Sequence, residues 1–220
     1  VRSRRQRQMC IRDRINLARS LNRRIKNLSD IEKIVIETSH HTHYVIGTGA
    51  NDPQKMDPYA SRETLDHSIM YIFAVALEDG SWHHVKSYTP QRARKKSTVK
   101  LWQKIVTREN KKWTKKYHDK DPKKKCFGGK VIIKIKNGST ISEEINVADA
   151  HPAGKKPFGR KEYINKFKTL TDGLISNKES ARFLKVVQNL RKLKAKELSG
   201  LNVELMPRSR NKSKISKAIF

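Results

Sequence analysis

Only two cysteines, Cys10 and Cys126, occur in 220 residues. That is too few for a disulfide framework, and too few for cysteines of this chain to hold an iron–sulfur cluster. No apolar run approaches the roughly 18–20 residues that cross a bilayer as a helix. Acidic residues are scarce too, since 21 Asp+Glu face 50 Lys+Arg for a net charge of +29. A soluble chain in a reducing cytoplasm fits these absences.

A cationic excess of this size ordinarily points to nucleic acid or an anionic surface. The excess is uneven. Residues 1–14, VRSRRQRQMCIRDR, hold Arg2, Arg4, Arg5, Arg7, Arg12 and Arg14 against the single acid Asp13. From residue 15 onward, 44 cations face 20 acids, mostly as lysine. The string QRQMCIRDR resembles translated sequencing-adapter sequence, and it lacks the apolar face of a targeting peptide. Residues 1–14 are therefore expected to be a foreign extension outside the fold. A second basic stretch, Lys111 to Lys125, holds eight lysines interleaved with Trp113 and Tyr117, with Phe127 close behind. Cations among aromatics suit a single-stranded nucleic acid, and this is the alternative function. A solvated lysine face is the simpler account, so nucleic acid is not the expected partner.

Residues 15–30 read as a short amphipathic helix, apolar at 15, 17, 21 and 25, followed by a turn. Ile31–Thr38 is β-rich and bounded by polar residues, which marks a strand. Residues 39–60 read as a long loop containing Gly47, Gly49, Pro53 and Pro58. Ser61 is placed to cap one continuous apolar helix that ends at Asp79-Gly80. Trp82–Lys86 reads as a short strand, and Ser97 caps a helix running through Leu101, Trp102, Ile105 and Val106. Asn137-Gly138 between two β-rich runs predicts a hairpin with a type I′ turn. Residues 161–170 and the stretch capped by Asn177 form two further helices, the first with Tyr163, Phe167 and Leu170 on one face. The tail from 207 has no pattern. The sum is an α+β lid-type domain over 31–150, with a small, mainly antiparallel sheet, and a helical segment over 151–206.

Residues 39–77 carry the densest chemistry. His40, His41 and His43 offer imidazoles, but no carboxylate or cysteine is obviously placed to complete a metal set, so neither metal nor cofactor is expected. Gly47-Thr48-Gly49-Ala50-Asn51-Asp52 lacks the third glycine of a dinucleotide loop, and Pro53 stands where its helix should begin. In one continuous helix, His67 and Tyr71 are four residues apart and share a face. A buried pair satisfying each other is one account of them. Proton transfer at a cleft is the other, since dehydration needs a base for a carbon-bound proton and an acid for the departing hydroxyl.

The stretches IEKIVIETSHHTHYVIGTGANDPQKMDPYASRETLDHSIMYIFAVALEDGSWHH (31–84), SYTPQRAR (87–94), VADAHPAGKKPFGRKEY (147–163) and GLNV (200–203) resemble the MmgE/PrpD family, in the part that follows its large all-helical domain. The resemblance implies a hydro-lyase that converts 2-methylcitrate to 2-methyl-cis-aconitate in propionate breakdown, with side activity on citrate or aconitate. It further implies a cytoplasmic homodimer, and a C-terminal helical segment that belongs to that all-helical domain. The pattern His67-Ser68-Ile69-Met70-Tyr71 matches one that supplies the family with an active-site tyrosine. The resemblance thus assigns Tyr71 as hydrogen-bond donor or acid and His67 as its positioning neighbour, with substrate recognition going to the loop of His40, His41 and His43. It implies that the chain is a C-terminal fragment, inactive without upstream catalytic groups.

Overall fold

The computed structural model describes residues 4–207, with side chains from Ile11 onward; the first three residues and the expected tail beyond 207 lie outside them. The chain divides into two compact units, residues 1–157 and 158–220. The architecture is α+β, as the sequence predicts.

The first unit is built on a four-stranded sheet in the order β2-β1-β3-β4. Its strands are β1 (Ile31–Thr38), β2 (Ile105–Glu109), β3 (Gly129–Ile135) and β4 (Thr140–Ile145). β1 pairs with β3 and β3 with β4 in antiparallel fashion, whereas β1 and β2 run parallel. In β1, Ile34, Ile36 and Thr38 alternate to one buried face, and a register shift between Ile31 and Lys33 lets Ile31 join them. Cross-strand partners of that face are buried as well: Ile105 and Thr107 on β2, Ile133 and Val131 on β3.

Helices cover this face. α1 (Arg4–Asn22) packs against β3, β4 and α4 (Ile69–Asp79), and α4 also meets β2. Every residue of α4 from Ile69 to Leu77 is buried, which makes it the apolar centre of the unit. α1 runs across the expected boundary at residue 15. Asp13 and Arg14 are buried, and Arg14 donates to Thr38 Oγ1 at 2.9 Å and to the Gly128 carbonyl at 3.0 Å. Residues 11–14 thus belong to the fold, because a guanidinium between two strand ends satisfies acceptors that no apolar residue reaches.

Several other expectations change. The predicted loop after β1 opens as helix α2 (His40–Ile46), capped by Ser39, whose Oγ accepts from the Thr42 amide. The single helix from Ser61 is two, α3 (Arg62–Asp66) and α4. Ser68 makes the break: its hydroxyl accepts from the Tyr71 amide at 3.2 Å and donates to the Lys55 carbonyl at 2.7 Å. No strand forms over 82–86; a 3-10 turn at Lys86–Tyr88 leads into α5 (Pro90–Ala93) and α6 (Lys96–Trp102). Ile105 and Val106 belong to β2 rather than to that helix. α7 (Lys111–His118) follows β2, with Trp113 and Tyr117 buried. The hairpin falls at Asn137-Gly138, but only Gly138 has positive φ, +87°, whereas a type I′ turn needs it at both central residues. Gly138 N–H instead donates to the Ile135 carbonyl, and Ile135 N–H to the Ser139 carbonyl, closing a three-residue loop.

The second unit contains α8 (Arg160–Thr171) and α9 (Asn177–Gln188), the latter capped by Ser176 rather than Asn177. Phe167 stacks on Phe183 at 5.1 Å between ring centroids. On the expected face of α8, Tyr163 and Leu170 are exposed. Arg182 pairs with Glu179 at 2.7 Å and donates to the carbonyls of Gly200 and Asn202, strapping the following segment to α9.

Candidate functional site

The C-terminal ends of parallel strands are where open α/β sheets gather polar side chains for ligands. In this chain those ends belong to β1 and β2, where Thr38 pairs with Glu109. β1 runs into α2 at Ser39, and β2 runs into α7 through Asn110, whose amide donates to the Thr38 carbonyl at 2.9 Å. Two helices therefore leave adjacent strand ends.

The side chains of α2 divide over this corner. His40 Nδ1 lies 3.0 Å from Glu109 Oε2, while the other carboxylate oxygen accepts from Thr114 Oγ1 at 2.8 Å. Thr114 in turn accepts the His40 amide. His43, one turn further, lies 2.6 Å from Thr107 Oγ1 through its Nδ1. Thr107 Oγ1 also accepts the Thr48 amide at 2.9 Å, and Thr48 Oγ1 accepts the Thr107 amide at 3.0 Å. Tyr44, half exposed, has its ring centroid 4.4 Å from that of His40 and 4.6 Å from that of His43. His41 instead meets the buried Tyr117 ring of α7 at 5.3 Å. The three histidines are thus split into His40 and His43 at one cluster, with His41 against α7.

Electrostatics divides the pair further. The hydrogen bond from His40, then that from Thr114, holds the Glu109 carboxyl below the usual range. Burial lowers the His43 pKa, with Glu109 opposing and His40 reinforcing it. His43 is therefore a neutral imidazole at neutral pH. Gly49 lies under the ring, where a Cβ would collide with His43 Nε2 and its flanking carbons. Among the described residues no group of three His, Cys, Asp or Glu side chains is placed to hold a metal ion.

His67 and Tyr71 do not share one helix. His67 ends α3, partly exposed, and its Nδ1–H donates to the Glu63 carbonyl at 2.8 Å. Tyr71 sits in the first turn of α4, wholly buried, and its hydroxyl donates to the Ser87 carbonyl at 2.5 Å. Its ring lies 5.0 Å from that of Trp102. Burial pushes its pKa up to about 12, Arg92 opposing and Asp79 adding to the rise.

Thr107, Glu109, Thr114 and Thr48 are cluster residues that sequence reading misses. The β-branched run Ile105-Val106-Thr107 is the one local signal for the strand that presents the first two. In the lysine-dense stretch, Trp113 and Tyr117 are turned into the fold and Phe127 packs edge-on to Tyr117 at 5.1 Å. Lys112 and Lys116 cover the Trp113 ring. Stacking aromatics for a nucleic acid strand are thus absent there, and nothing supports that alternative. No helix among the described residues is long and apolar enough to cross a membrane.

Comparison with known proteins finds relatives for part of this chain. Over 161 residues, 73% of this chain, it is 28% identical to 2-methylcitrate dehydratase of Salmonella typhimurium (strain LT2), and over 143 residues, 65% of the chain, 29% identical to that of Salmonella typhi. The matched segments span 31% and 28% of those two proteins, so the chain covers under a third of the curated relatives' length. The family model for the MmgE/PrpD C-terminal domain matches residues 9–192, most of the chain. The chain belongs to the MmgE/PrpD family and carries its C-terminal domain.

Proposed function

We propose that this chain supplies the α+β lid-type part of a hydro-lyase that removes water from 2-methylcitrate, with side activity on citrate or aconitate. Two relatives bear the name 2-methylcitrate dehydratase. The observation that carries the chemistry is the corner where Glu109, His40, His43 and Thr107 converge at the ends of β1 and β2. A hydroxylated tricarboxylate needs hydrogen-bond donors for its carboxylates and an acceptor near the hydroxyl, and this corner offers both. His41 lies apart from this corner, set against Tyr117 of α7. His67, which ends α3, keeps the positioning role. Tyr71 acts as proton donor once the Ser87 carbonyl is displaced from its hydroxyl.

The relatives are more than three times as long as the matched segments, and the remaining catalytic groups, with the homodimer contacts, belong to sequence upstream of this domain. The test joins the domain to an upstream helical domain taken from genomic reads and follows formation of the conjugated product by ultraviolet absorbance. Turnover of 2-methylcitrate by the longer protein, with none from the 220-residue chain alone, is the expected result. A folded longer protein that leaves 2-methylcitrate untouched overturns the assignment, and turnover by the short chain overturns the division of the site.

A further inference from the structure

His40 and His43 present the same ring nitrogen, Nδ1, to partners of opposite character. Glu109 can only accept when ionised, so His40 Nδ1 must carry its proton; the neutral ring then offers Nε2 as an acceptor. At His43 the partner is a hydroxyl, which can donate. Three distances favour one direction. Thr48 Oγ1 lies 3.0 Å from Thr107 Oγ1 and 3.3 Å from the Thr107 carbonyl, so its hydrogen goes by preference to Thr107 Oγ1. Thr107 Oγ1 then accepts both the hydroxyl and the amide of Thr48, and its own hydrogen is free to point at His43. The 2.6 Å separation from His43 Nδ1 lies below the usual range for an N–H donor to oxygen.

We propose that α2 carries an imidazole pair of opposite tautomers: His40, set by Glu109, has a bare Nε2 that accepts, and His43, set by the Thr48–Thr107 hydroxyl relay, has an Nε2–H that donates. Thr107 is then a positioning residue that acts through His43. The ligand class that such a pair reads is a hydroxy acid, its carboxylate accepting a hydrogen bond from His43 Nε2–H and its hydroxyl donating to His40 Nε2. The ligand half of this statement rests on the dehydratase reading; the tautomers do not. Gly49 lets the loop pack against the face of the His43 ring, where any Cβ would collide with it.

The experiment is long-range 1H–15N correlation spectroscopy at neutral pH on the 220-residue chain with 15N-labelled histidine, assigned through His40→Gln and His43→Gln. The wild type should show a protonated Nε2 and bare Nδ1 at His43, with the reverse at His40. Thr107→Ser should retain that pattern, and Thr107→Val should lose the single form at His43 while leaving His40 unchanged. An Nδ1–H or averaged signal at His43 in the wild type overturns the proposal, and so does an unchanged signal in folded Thr107→Val. If Thr107→Val fails to fold, the wild-type and Thr107→Ser spectra still decide. In the longer protein, Thr107→Val should raise KM about tenfold with Thr107→Ser restoring it, the size of one lost hydrogen bond. Opposite tautomers in a protein inert toward 2-methylcitrate would refute the dehydratase reading and leave the pair standing.

Discussion

Glu78→Gln should destabilise the first unit at neutral pH and lose most of that effect in acid. Glu78 closes α4 with its side chain 11% exposed, facing Arg92 Nη2 at 2.8 Å and Lys95 Nζ at 2.9 Å. Ser97 and Thr98 donate their hydroxyls to the same carboxylate. Burial by itself would raise its pKa. The hydrogen bonds from Ser97, Thr98 and Lys95 and the charge of Arg92 outweigh that, and they hold it at about 2 against 4.5. A folded-state value below the unfolded one stabilises above the unfolded pKa, and the stabilisation disappears as pH falls from 4.5 through 2. Over that interval the linkage is worth ~3 kcal/mol, and residual solvent around the network reduces it to ~2 kcal/mol. At pH 3 the unfolded glutamate is already protonated and less than ~1 kcal/mol remains. Glutamine mimics the protonated side chain, so Glu78→Gln should cost ~2 kcal/mol at pH 7 and under ~1 kcal/mol at pH 3. Trp82, Trp102 and Trp113 all lie in the first unit, so tryptophan fluorescence during urea unfolding reads that unit alone. A cost below ~0.5 kcal/mol at pH 7, or equal costs at the two pH values, would refute the argument.

Tyr71→Phe removes the donor to the Ser87 carbonyl in a buried setting and should cost ~1–2 kcal/mol in the same urea assay; in the longer enzyme, an unchanged rate would remove Tyr71 from the mechanism. Arg14→Met strips two buried acceptors, Thr38 Oγ1 and the Gly128 carbonyl, of a charged donor and should cost ~3 kcal/mol; a neutral result would mean that residues 11–14 are dispensable to the fold. Single-stranded DNA or RNA should fail to bind at moderate salt, because the aromatics of α7 are buried; tight binding with a steep salt slope would reverse that.

The parts of the fold that were legible are those that local chemistry decides. Ile31–Thr38 announces a strand by its β-branched run, the Asn137-Gly138 pair marks the hairpin, and the apolar stretch of α4 marks the most buried helix. Three of the differences share one cause, a decisive partner away in sequence. Ser68 breaks a helix because the Lys55 carbonyl takes its hydroxyl. Arg14 is buried because Thr38 and Gly128 receive it. Ile105 and Val106 continue the apolar spacing of Leu101 and Trp102, and only parallel pairing with β1 makes them strand. The histidine segment was visible as chemically dense, while its partners on β2 were hidden by that misreading.

The pairing of β1 with β2 is also what makes the imidazole pair possible. Thr107 and Glu109 are two apart on a strand, so they point to the same side, ~6.5 Å from each other along the chain. His40 and His43 are three apart on a helix, whose side chains three positions on lie ~5–6 Å apart. The two spacings are commensurate, and α2 turns back beside β2, so that its first histidine meets Glu109 and its second meets Thr107. The register Ile36↔Thr107 and Thr38↔Glu109 fixes the alignment. A slip of one residue in β2 would turn both partners to the opposite face and replace them with Val106 and Arg108. The histidines would then lose hydroxyl and carboxylate together, so the pairing of these two strands is a condition of the site as much as of the sheet.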